Sequence, residues 1–119
     1  MATKNIEMYS EKQYELDEIK DRIIAYFEKH KKEVADFRQA IKRDLGEAKT
    51  MLLIFETYSV GREECTSLII QLSEFQNFQG ADIFATGGYR FLGISCGEDS
   101  LGDFGIEALK SLGFAGKNI

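Results

Sequence analysis

The sequence predicts an α+β protein with a long N-terminal helix, an antiparallel sheet of three to four strands and a short C-terminal helix. Three observations carry this expectation. Apolar residues recur at steps of three and four from Leu16 to Leu45. Short apolar runs rich in β-branched residues, bounded by glycine, follow from Thr50. An amphipathic stretch ending in Gly113 then closes the chain.

The helix is expected over residues 11–45. Ser10 suits an N-cap, Gln13 completes a capping box, and Tyr9 and Tyr14 sit where a hydrophobic staple places its partners. Leu16, Ile19, Ile23, Tyr26, Phe27, Val34, Phe37, Ile41 and Leu45 make the apolar stripe. Glu18/Arg22 and Glu28/Lys32 are i,i+4 pairs in the favourable order. Lys42 and Arg43 suit the negative end of the helix dipole, and Gly46 suits the stop. Such a helix would run about 50 Å at ~1.5 Å per residue. A compact domain of this length spans about 35–40 Å. Either the helix breaks near Lys29-His30-Lys31-Lys32, or it stays whole and packs against its copy in a homodimer. With no Gly or Pro at the break, the unbroken helix and the dimer are expected.

"TMLLIFETY" (50–58) reads as a central strand. "EECTSLIIQLSEF" (63–75) fits a strand or a helix, and its β-branched content favours the strand. The alternative places a helix over residues 62–76. "NFQG" (77–80) reads as a turn. "ADIFAT" and "YRFLGISC" read as strands joined by Gly87-Gly88, with Gly93 marking a bulge. The closing helix is expected over 103–112, started by Ser100 or Asp103. Its apolar face is Phe104, Ala108, Leu109 and Leu112, and Gly113-Phe114 form a Schellman stop. The tail from Ala115 should fray. One domain over 1–119 is expected.

Composition narrows the function by exclusion. Of 119 residues, 44% are hydrophobic, with nine Phe and five Tyr, enough for a packed core. No apolar run approaches the ~18 residues of a membrane span, and the N-terminal residues lack a secretory h-region. Cys65 and Cys96 are expected as reduced thiols in the cytoplasm. The chain carries a net charge of −5. All of it falls in residues 51–119, where Arg62, Arg90, Lys110 and Lys117 face nine acids. Nucleic acid is therefore an unfavoured partner.

The six glycines of "ATGGYRFLGISCGEDSLGDFG" (85–105) raise the question of a phosphate cradle. Neither the dinucleotide fingerprint nor the Walker pattern occurs. Glu98, Asp99 and Asp103 would also repel a phosphate. The same three acids fit no calcium-loop spacing, so no metal is expected. His30 is the single imidazole, neither cysteine belongs to a metal or redox cluster, and no nucleophile elbow is present. Catalysis is not expected, and neither is a cofactor.

The candidate contact residues are Arg62, Tyr89 and Arg90, because Arg and Tyr are enriched in binding hot spots. The acids Glu98, Asp99 and Asp103 join them on an expected acidic face. The reading is a small, acidic, non-enzymatic binding protein, dimeric through the first helix, with a protein partner of basic character. Inhibitor, antidote, phage-type counter-defence protein and secretion chaperone are roles with that physics. The alternative is a small-molecule binder, nucleotide-like in ligand, using Arg62, Tyr89 and Arg90.

Overall fold

A computed structural model describes residues 3–29, 36–59, 64–87 and 105–116 of the chain. Its elements run β1 (Thr3–Glu11), α1 (Leu16–Lys29), β2 (Asp36–Asp44), β3 (Ala48–Ser59), β4 (Glu64–Phe75), β5 (Phe78–Gly87), a helix α2 (105–110) and β6 (Ala115–Gly116). The strands form one antiparallel sheet of order β2-β3-β4-β5-β1-β6. The first strand thus inserts between β5 and the last.

This corrects the expected fold class. No helix spans 11–45, and the described residues form a sheet of six strands, not three to four. α1 has 14 residues, about 21 Å at ~1.5 Å each. Its stripe of Leu16, Ile19, Ile23 and Phe27 is buried against the chain's own sheet. The premise for a dimer along this helix, a stripe too long for its own domain, is therefore absent. The two ends of the expected helix are strands. Ser10 lies in β1, where its hydroxyl donates to the Glu11 carbonyl (2.8 Å) instead of capping a helix.

The reason lies in a spacing that serves two periods. Phe37, Ile41 and Leu45 are four residues apart, which keeps one face of a helix and also one face of a strand. Pairing decides between them: β2 runs along β3 from Asp36↔Glu56 to Asp44↔Lys49. A bulge between Phe37 and Gln39 flips the alternation midway. Phe37 stacks edge-on against Phe55 at 5.5 Å, whereas Ile41 turns to the opposite face beside Leu52.

Gly46 ends no helix; it makes the β2–β3 turn. Its φ is +89°, its amide donates to Asp44 Oδ1 (3.0 Å), and the Leu45 amide donates to the Ala48 carbonyl (2.8 Å). Glycine at the first central position of a two-residue loop is the type II′ arrangement, whose twist matches the strands. The ambiguous segment is a strand, β4, and the expected 77–80 turn shifts to Gln76-Asn77, so that Phe75 and Phe78 face one another. The tail at Ala115–Gly116 is not frayed but pairs with Met8 and Tyr9.

The end of α2 matches expectation. Phe114 N–H donates to Leu109 O and Gly113 N–H to Lys110 O, both at 3.0 Å, and Gly113 has φ +94°. These are the two bonds of a Schellman stop, and Phe114 is buried beyond it.

Both helices lie on one face of the sheet. Their apolar residues, with Leu112 and Phe114, share one core with Met8, Met51, Leu53, Phe55, Leu68, Ile70, Leu72, Ala81, Ile83 and Ala85. Each Leu, Ile, Met or Phe among them taken fully from water contributes about 1.5–3 kcal/mol. Phe27 meets Phe55 edge-on at 4.8 Å. Lys42 Nζ donates to Asp17 Oδ2 (2.8 Å), tying β2 to α1.

Candidate functional site: the outer face of the sheet

Strand alternation sends every second side chain to the face away from the helices. The registers order these side chains into rows across five strands. At one end, Ala48, Phe75, Phe78 and Glu11 stand abreast, with Leu45 beside Ala48. The next row is Arg43, Thr50, Ser73, Gly80 and Tyr9. Then come Ile41, Leu52, Gln71, Asp82 and Glu7. A fourth row holds Gln39, Ile54, Ile69 and Phe84.

This face is apolar at its centre and at one end. Leu52, Ile54, Ile69, Phe84 and Ile41 are only partly buried. Leu45 is 70% exposed, Phe78 65%, Phe75 51% and Tyr9 50%, values no core side chain shows. The near-continuous apolar runs Met51–Phe55 and Leu68–Ile70 are the cause: each strand presents apolar residues to both faces. No described helix covers the second face. A β-carbon at Gly80 would sit 3.8 Å from the Tyr9 ring, so that ring lies across the bare backbone of β5.

Charge divides the face by edge. Glu7 and Asp82 are direct cross-strand neighbours on β1 and β5. Burial and the Glu7 charge beside it push the Asp82 carboxyl above the ordinary carboxylate value. Tyr9 donates its hydroxyl to Glu7 Oε2 (3.0 Å), and that bond raises its phenol. Glu11 adds a third acid on β1. At the opposite edge β2 carries Arg43, exposed, and Arg38, which pairs with Glu56 at 3.5 Å and Asp36 at 4.0 Å. Neither Asp82 nor Arg43 has an ion-pair partner among the described residues.

A second polar group lies on the helix side and reads as structural. Glu74 and Gln79 are buried at 7% and 3% exposure. Gln79 Nε2 donates one hydrogen to the Tyr14 carbonyl (2.7 Å) and one to Glu74 Oε1 (2.9 Å), while Lys12 Nζ donates to Glu74 Oε2 (3.1 Å). Burial would raise the Glu74 carboxyl, but the bonds from Gln79 and Lys12 outweigh it and hold the carboxyl below its usual value. Both hydrogens of the Gln79 amide and both oxygens of the Glu74 carboxylate are used within the fold.

The sequence-predicted contact residues Arg62, Tyr89, Arg90, Glu98, Asp99 and Asp103 all lie outside the described residues, as do His30, Cys96 and the Gly87-Gly88 junction from Gly88 on. Of the second-half acids, Glu74 turns inward, whereas Asp82 and Glu56 stand on the outer face. No described group of three or more His, Cys, Asp or Glu is placed to hold a metal ion. No described helix is long and apolar enough to cross a membrane.

No family model, curated protein or solved structure matches this chain.

The outer face is not legible in the local pattern: by sequence Tyr9 suits a helix staple, Arg43 a helix end, and Phe75 the end of a segment that favours a strand. The available signal was the double-sided apolarity of 51–55 and 68–70, which buries one face and leaves a second to be covered.

Proposed function

We propose that this chain is a small, acidic, non-enzymatic binding protein whose working surface is the outer face of its sheet. One observation supports this above the others: the central apolar residues Leu52, Ile54, Ile69 and Phe84 and the exposed row Leu45, Phe75 and Phe78 share one face, and both described helices lie on the other. Two apolar patches on one face, separated by the row Arg43–Thr50–Ser73–Gly80–Tyr9 and flanked by charge, have the mixed composition of a protein contact. Glu7, Glu11 and Asp82 along one edge favour a partner that brings cationic groups. Inhibitor, antidote, counter-defence protein and chaperone-like partner are roles this surface suits, in the cytoplasm, where Cys65 and Cys96 stay reduced. The small-molecule alternative rests on Arg62, Tyr89 and Arg90, and no described residue favours it.

The test is a pair of face variants, Ile54→Lys and Ile69→Lys. Each leaves the helix-side core intact, so melting temperature should fall by no more than a few degrees. Affinity purification followed by mass spectrometry should show the wild type associated with protein, itself or another, and both variants bare. A wild-type chain that is monomeric and retains no protein overturns the reading.

A further inference from the structure

We draw no further inference here: the strongest candidate, the surface patch on the outer face of the sheet formed by Ile54, Ile69 and Phe84 with the exposed row Leu45, Phe75 and Phe78, belongs to the site already described, and nothing in the structure shows what covers it.

Discussion

Gln79 and Glu74 show how much a single side chain decides in a sheet this thin. Both sit under the start of α1, where the chain leaves β1 and must satisfy the Tyr14 carbonyl. The Gln79 amide meets that carbonyl and Glu74 together, so removing it orphans two acceptors at once. Gln79→Ala should therefore cost about 2 kcal/mol at neutral pH, read by urea unfolding. Its pH dependence follows from the depressed Glu74 carboxyl. The unfolded chain takes up the proton near the ordinary value of 4.5, before the folded chain does. The stabilisation from this group is complete above that value and is lost as pH falls through the lower, folded one. Without Gln79 the depression shrinks. The gap between wild type and variant should be widest near pH 7 and narrow below 4.5; a constant gap would separate Gln79 from the ionisation of Glu74. None of this was legible in the sequence, because Glu74 and Gln79 read as ordinary surface residues until the turn at Gln76-Asn77 brings them onto one face.

At the scale of elements, the two described hairpin turns, β2–β3 and β4–β5, make a natural comparison. Both are two-residue loops with positive φ at the first position: Gly46 at +89° and Gln76 at +56°. Glycine adopts that region freely, whereas glutamine pays a steric cost of about 1–2 kcal/mol. Gln76→Gly should relieve it, less the extra backbone entropy of glycine in the unfolded chain. A net gain of about 0.5–1 kcal/mol is expected, visible as a rise of a few degrees in melting temperature. No gain would mean that the turn holds Gln76 without strain. The same scale explains which helices were legible. From Leu16 to Phe27 the apolar spacing of three and four has no strand equivalent, and a helix forms there. From Phe37 to Leu45 the spacing is four throughout, which both periods satisfy, and the neighbouring strand β3 decides. Exposed charges on β2 and its bulge are the usual guards of a free sheet edge, and here they replace the solvent face of the expected helix.

At the scale of the molecule, β4 is the inner strand around which the sheet is built, paired along its length with β3 and β5. Its residues Leu68, Ile70 and Leu72 are fully buried. Local opening should therefore be hardest there and easiest at the edges β2 and β6. Native-state hydrogen exchange should find the amides of Leu68–Leu72 the slowest and those of β2 and β6 the fastest among the strands. Equal protection of β2 would instead indicate strand-to-strand association at that edge.

The sequence by itself determined some local events: helix-forming spacing from Leu16 to Phe27, though not where that helix ends, the strands at 50–58 and 81–86 from their apolar runs, and the Schellman stop from Gly113-Phe114. These depend on residues within a turn or two of one another. Only the tertiary structure decided the rest. That β1 lies between β5 and β6, that residues 36–44 extend beside β3, and that Tyr9, Arg43, Phe75 and Asp82 share the face opposite the described helices all depend on partners distant in sequence. A spacing that suits two periods carries no choice between them. Hydrogen bonds to a neighbouring strand make that choice, and they exist only once the sheet has formed.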